Sequence, residues 1–254
     1  MDLEVQENNM TKYNTTQLNP DTCFERHVYH RDQFAHYLRW THILKRAKIG
    51  MSILDFGCGS GNLLEVFYRN RFKPSKYIGL DIRKQTIKNN NIKWDNLKDF
   101  AFFYEKDLCD TTLDLQEKFD IIVSFEVIEH IGKNNINYFL QNIYKHCDEN
   151  TLIFLSTPCY DEQVGAAENH IIDGVVGELT YLEMKESLKN NNFNIINSYG
   201  TFASIKDYKD KLNDWQEKFY LFAKEYFDSN ILSNLMAPMF PEYSRNVLWE
   251  CKIK

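Results

Sequence analysis

The chain has 254 residues, 43% of them apolar and 15% aromatic, and a formal net charge of −6. That length suits one sizeable α/β domain with additions, and the acidic balance speaks against non-specific nucleic-acid binding, which needs a basic surface. No apolar run is long enough to span a bilayer, and the six cysteines show neither a CxxC pair nor the spacing of a disulfide framework.

In chain order, residues 1–20 are polar and lack the basic and apolar regions of a signal peptide. They read as a mobile tail ending at Pro20, and with reduced thiols they place the protein in the cytoplasm. Residues 21–254 read as a single domain. A helix is predicted over 31–48, where Phe34, Tyr37, Leu38, Thr41 and Leu44 recur at the helical period and Asp32 can cap the start. It forms the main part of an N-terminal cover of about 24–48.

Strands and helices then alternate. A strand at 51–56 leads to a helix at 61–69, a strand at 76–82 to a helix at 84–97, and a strand at 100–108 follows. A strand at 119–127 leads to a helix at 134–146 with the stripe Ile136, Phe139, Leu140, Ile143 and Tyr144. A strand at 151–158 runs through a long loop to a helix opened by the capping-box pair Thr180 and Glu183, then a strand at 193–201. Between it and a final strand at 246–253 lies an insertion, 207–244, whose Leu212, Trp215, Phe219, Phe222, Ala223 and Tyr226 make an amphipathic helix. A helix packed on the sheet edge, a lid and a homodimer face are all open for it. The alternation implies a mostly parallel sheet with helices on both faces.

Residues 53–67, ILDFGCGSGNLLEVF, form a strand, a glycine turn and a helix start. A dinucleotide fold needs G-x-G-x-x-G, but the sixth position from Gly57 is Asn62. A P-loop needs a lysine that is absent. Asp55 would repel a phosphate at short range and attract a cation. Asn62 and Asp55 therefore disfavour an NAD-dependent oxidoreductase.

The pattern D-x-G-C-G-x-G after an apolar strand resembles motif I of class I S-adenosylmethionine-dependent methyltransferases, whose cofactor carries a sulfonium and an ammonium group and no phosphate. The resemblance covers about 50–200. It implies a Rossmann-like α/β fold, with a mixed seven-stranded sheet, the last strand antiparallel and helices on both faces. It also implies a cofactor site. Gly57, Gly59 and Gly61 let the backbone come close, and Cys58 packs beneath. Asp81 accepts both ribose hydroxyls, and Asp107 lies near the adenine amino group. Asp55, Ile82, Leu108 and Phe125 complete the set.

The acceptor is less legible. Ser124-Phe125-Glu126-Val127 lacks the Asn/Asp-Pro-Pro-aromatic motif of amino-methylating nucleic-acid enzymes. Cys159, after the fifth strand and not the fourth, reads as structural. In FEVIEHIGK, Glu126, Glu129 and His130 stand at i, i+3 and i+4 and share one face if the turn is helical, while His170 belongs to a loop over the same end of the sheet. E-x-x-E-H with a later histidine resembles two metal-assisted O-methyltransferase groups. One acts on catechol hydroxyls in ubiquinone synthesis, the other on the terminal 2′-hydroxyl of small RNAs. Here IIDGVVGEL separates the late histidine from the next helix, where those relatives have a few residues.

The preferred reading has no metal. His130 acts as general base or orienting group, with Glu126, Glu129 and His170 around it. The other reading gives those four a divalent ion, with Mn²⁺, Fe²⁺ or Zn²⁺ suited better than Mg²⁺. The expected activity is O-methylation of a small-molecule hydroxyl. An RNA or nucleotide hydroxyl, and a non-catalytic cofactor-binding or partner-binding domain, are the alternatives.

Overall fold

The computed structural model describes residues 31–254, with side chains from residue 34. The tail at 1–20 and the cover segment 24–30 fall outside the described residues, as does the side chain of Asp32, the expected cap. Helix α1 spans Arg31–Arg46. Strand β1 (Ser52–Phe56) runs through the glycine turn into α2 (Asn62–Arg69), and β2 (Lys76–Asp81) leads to α3 (Lys84–Lys93). Strand β3 (Ala101–Glu105) is followed by β4 (Ile121–Phe125), the short α4 (Ile128–Ile131), α5 (Ile136–Lys145) and β5 (Leu152–Pro158). A hairpin of β6 (Ile171–Ile172) and β7 (Val175–Val176) precedes α6 (Tyr181–Asn190), and β8 (Phe193–Ala203) follows. The insertion holds α7 (Ile205–Tyr208), α8 (Asp214–Lys224) and α9 (Ser229–Met236), and β9 (Ser244–Ile253) ends the fold.

The seven-stranded sheet has the order β3-β2-β1-β4-β5-β9-β8. Strands β1 to β5 pair in parallel, and β9 is antiparallel to both β5 and β8. The strand order reverses between β1 and β4, which opens a crevice at their carboxyl ends. Because successive side chains point to opposite faces, one strand feeds two cores. Leu54 and Phe56 pack with Phe139, Leu140, Ile143, Met184 and Leu188 of α5 and α6. Ile53 packs with Trp40, Ile43, Leu63, Leu64, Phe67 and Ile87 of α1, α2 and α3. The capping box at Thr180 and Glu183 is present. No described helix is long and apolar enough to cross a membrane.

Two expectations about the flanks change. Helix α1 buries Ala35, His36, Arg39, Trp40 and Ile43, while Tyr37 and Thr41 face out. The predicted stripe is thus rotated by about one residue, because counting apolar positions alone leaves out Arg39, a buried charge with a partner. The insertion has a small core of its own, with Tyr208 stacked on Phe240 at 4.3 Å and Ala203, Met236 and Ala237 around them. Helix α9 of the insertion lies on β8 and α1. In α8 the apolar residues face largely outward: Trp215, Leu221 and Phe222 are exposed. The insertion leaves from the end of β8 and returns at the start of β9, and so stands at the carboxyl end of the parallel strands.

Candidate active site

The glycine turn is built by close approach. Gly57 has φ +94°, and a Cβ there would stand 2.3 Å from Val127 Cγ2, so a side chain at 57 would push the turn off the β4–α4 connection. At Gly59, φ +51°, a Cβ would meet only the Arg83 guanidinium among the described residues, at 3.5 Å. The turn is pinned from below, where Asn90 Nδ2 donates to the Gly59 carbonyl at 2.7 Å and Cys58 is buried.

Asp55 lies beneath this turn. Its carboxyl is buried and accepts a hydrogen bond from Tyr77 Oη at 2.5 Å. Burial pushes its pKa up to about 7, against the opposing effect of the Tyr77 bond. The exposed negative charge expected from the sequence is therefore not presented to the crevice, because the side chain points into the core between β1 and β2.

Asp81, at the end of β2, takes the Gly59 N–H at 3.0 Å and the Arg83 N–H at 2.9 Å. The Arg83 side chain donates Nε at 3.0 Å and Nη2 at 3.1 Å to its two oxygens. Burial opposes its charge, but these bonds outweigh burial and hold the carboxyl below its ordinary range. Ile82 beside it is an exposed apolar side chain, and Leu108 is buried. Asp107 falls in the loop after β3, because that strand ends at Glu105; there it is exposed and accepts the Cys109 N–H at 2.9 Å. Phe125 ends β4, half-buried, with the Arg39 guanidinium 5.7 Å from its ring centre.

The E-x-x-E-H stretch separates into two groups. Glu126 precedes α4 with φ +55°, outside the helical region, so it does not share a face with Glu129 and His130. Its carboxylate forms an ion pair with Arg39 and accepts Ser156 Oγ at 2.9 Å and Asn246 Nδ2 at 3.0 and 2.9 Å. Burial disfavours the charge, yet Arg39 and these donors outweigh it and hold Glu126 below the usual range. With its oxygens so occupied, Glu126 is a tie between α1, β4, β5 and β9, and it leaves the four-residue metal set.

Glu129, His130 and His170 do converge, with ligand atoms within 4.8 Å of one another. Glu129 is buried and accepts Thr157 Oγ1 at 3.2 Å. Burial, and then the Glu126 charge, raise its pKa well above the ordinary value. His130 is partly exposed, with Nδ1 3.3 Å from the Asn169 carbonyl and Nε2 4.0 Å from Glu129 Oε1. Burial, then the nearby His170, lower its pKa. His170 stands edge-on to it at 4.8 Å, its Nδ1 2.6 Å from Glu178 Oε1.

Arg39, Ser156, Asn246, Glu178 and Arg83 escaped the sequence reading. Only Glu178 left a local trace, as one charge in the run VVGELT. Cys159 is buried, with its thiol pushed up to about 12 by burial, which fits its structural reading.

A seven-stranded sheet with this order, a glycine turn at the switch point and a carboxylate closing β2 define a nucleoside-cofactor-binding α/β protein. The comparisons narrow the class: residues 29–198 match the family described as methyltransferase domain, and the chain belongs to it. A ubiquinone biosynthesis O-methyltransferase of Bartonella quintana is 26% identical over 186 residues, 68% of this chain and 73% of that protein. An (S)-coclaurine N-methyltransferase of Papaver somniferum is 32% identical over 125 residues, 46% of this chain and 33% of that one. The chain spans less than half the length of most of the curated relatives it matches.

Among solved structures, an O-methyltransferase from a trans-AT polyketide synthase multienzyme of Brevibacillus brevis, in complex with S-adenosyl-L-homocysteine, has a TM-score of 0.56 at 19% identity, covering 92% of this chain and 77% of that one. The chain thus carries a methyltransferase domain of the S-adenosyl-L-methionine-dependent kind. The residues present fit that cofactor. Among the described residues the turn is open at Gly59 save for the Arg83 guanidinium, and Asp81 offers a carboxylate suited to a pair of ribose hydroxyls.

Proposed function

We propose that this chain methylates a hydroxyl oxygen of a small-molecule acceptor beside Glu129, His130 and His170. The observation that carries the reading is the convergence of these three at the carboxyl end of β4 and β5, across Val127 from the glycine turn. The O-methyltransferase named among the relatives supports oxygen as the acceptor atom, and the net charge of −6 supports a small molecule over a polyanion.

Gly57, Gly59, Gly61 and Asp81 would hold the cofactor, with Ile82, Leu108, Asp107 and Phe125 around it. When bound it supplies an electrophilic methyl carbon on a sulfonium. The rest falls to the chain's own residues. His130 is neutral near pH 7, because burial and His170 lower its pKa. With Nδ1 engaged by the Asn169 carbonyl, its Nε2 is free to accept a proton from the acceptor hydroxyl. Burial, and then the Glu126 charge, push the Glu129 pKa well up, and in its protonated form the carboxyl can donate a hydrogen bond. Helix α1 and the insertion wall the acceptor side of a single domain, 21–254, and limit water. The described cysteines are free thiols, as a cytoplasmic protein would keep them.

A specific observation favours a second reading, in which Glu129, His130 and His170 hold a divalent cation. Both imidazoles have Nδ1 engaged by an oxygen, at Asn169 and Glu178, which is how ligating histidines are oriented. Imidazole suits Mn²⁺, Fe²⁺ or Zn²⁺, and such an ion would lower the pKa of a hydroxyl bound to it.

The test of the acceptor is transfer of labelled methyl to phenol and catechol acceptors, to their amine isosteres and to an RNA oligonucleotide. Label recovered as an ether of the small molecules supports the reading; label in the amine or the RNA overturns it. Metal analysis of protein purified without chelator, with turnover measured with and without EDTA, separates the cation reading from the metal-free one.

A further inference from the structure

Glu178 lies away from the glycine turn, in the strap that follows β7, and it is 3% exposed. Its Oε1 is 2.6 Å from His170 Nδ1 and accepts the Ala167 N–H at 3.3 Å, while its Oε2 is buried with no hydrogen-bond partner among the described residues. Burying a carboxylate is costly unless it is paired, so a glutamate at this position needs a reason beyond packing. Burial opposes its charge, and the bonds to His170 and Ala167 favour it.

Glu178 Oε1 already accepts the Ala167 N–H, so the hydrogen shared with His170 belongs to the ring nitrogen Nδ1. The same logic applies to His130, whose Nδ1 faces a carbonyl oxygen. A neutral imidazole with its hydrogen on Nδ1 keeps its lone pair on Nε2.

The strap is pressed against α4 to make this possible. The Gly177 N–H donates to the His170 carbonyl at 2.7 Å, and a Cβ at Gly177 would stand 2.2 Å from the Glu129 carbonyl oxygen. Only a residue without a side chain lets the segment bearing Glu178 run this close to the helix bearing Glu129 and His130.

We propose that Glu178 is a positioning residue, which holds His170 as its Nδ1–H tautomer and so leaves the Nε2 lone pair to the Glu129–His130 cluster as the third donor of a divalent-cation site. This rests on the cation reading of that cluster. Glu178 itself touches neither acceptor nor ion; it acts through His170.

The experiment uses the full chain, free of metal and labelled with ¹⁵N at histidine. NMR reads the His170 tautomer, and Mn²⁺ titration followed by electron paramagnetic resonance reads the cation site. The wild type is expected to show His170 as Nδ1–H. Glu178→Ala should shift the ring toward Nε2–H and weaken Mn²⁺ binding by about 10–100-fold, the usual effect of removing an outer partner of a ligating histidine. Glu178→Gln retains an oxygen acceptor and should restore the Nδ1–H tautomer. His170→Ala should abolish stoichiometric Mn²⁺ binding, and S-adenosylhomocysteine affinity should stay unchanged throughout.

An Nε2–H tautomer in the wild type overturns the proposal without any variant, as does an unchanged tautomer in folded Glu178→Ala. If the tautomer depends on Glu178 but the wild type binds no Mn²⁺, Fe²⁺ or Zn²⁺, the cation reading fails while the positioning role stands.

Discussion

Replacing Arg39 by Met should destabilise the chain far more than replacing Arg39 and Glu126 together. In the native protein the Arg39 guanidinium pairs with Glu126, donates to Ser156 Oγ at 2.9 Å and bonds the Ala35 carbonyl at 3.1 Å. Its side chain is 3% exposed and that of Glu126 17%. Removing one partner of a buried pair leaves an uncompensated charge, which costs about 3–5 kcal/mol. Ser156 and Asn246 still donate to Glu126, so Arg39→Met belongs at the lower end, about 3 kcal/mol. Arg39→Met with Glu126→Gln leaves a neutral amide among those donors and should recover about 2 kcal/mol, within the range of coupling between contacting residues. Urea unfolding at pH 7 measures both, provided the m-value is unchanged. A single variant costing under about 1 kcal/mol, or a double variant as unstable as the two singles added, would refute the view that this pair ties α1 to the sheet.

Three further outcomes follow from the structure. Asp81→Ala should weaken S-adenosylhomocysteine binding by about 1.5–3 kcal/mol, the range for hydrogen bonds to a charged group; Arg83→Ala should tighten it by at most about 1 kcal/mol, because an ion pair that competes with the ribose, and whose guanidinium is exposed, is lost, and calorimetry reads both. Gly57→Ala should destabilise the fold by about 1–3 kcal/mol and lower cofactor affinity, since its Cβ would meet Val127; a thermal melt matching the wild type would contradict this. The Asp55 carboxyl has its pKa raised from 3.8 to about 7, so the folded state binds the extra proton and stability should fall as pH rises from about 4 to about 7, then level off. The rise corresponds to about 4 kcal/mol at most, and a wild type and an Asp55→Asn variant with parallel stability–pH curves would refute the assignment.

What the sequence conveyed depended on how local each feature is. The glycine turn, Asp81 and the alternating strands are written in short runs whose periodicity and turn chemistry are set by neighbours along the chain, and they stand where the sequence places them. The α1 face was misphased because its buried side includes Arg39, whose partner Glu126 is 87 residues away. Glu126, Glu129 and His130 look like one helical face by spacing, but the positive φ at Glu126 starts the helix after it. The separation of the acidic pair into a structural tie and a site residue is therefore a backbone event that spacing does not carry. Asn246 and Glu178 are brought in by β9 and by the β6–β7 strap, and no local pattern announces either.

The central claim, that acceptor oxygen chemistry occurs at His130, is tested most directly by single-turnover methyl transfer to a hydroxyl acceptor with wild type and His130→Ala, alongside S-adenosylhomocysteine affinity. The account predicts a loss in rate of about 10²–10⁴-fold, the usual share of a positioned proton acceptor, with cofactor-product affinity unchanged because the glycine turn and Asp81 are untouched. Full turnover in His130→Ala would contradict it.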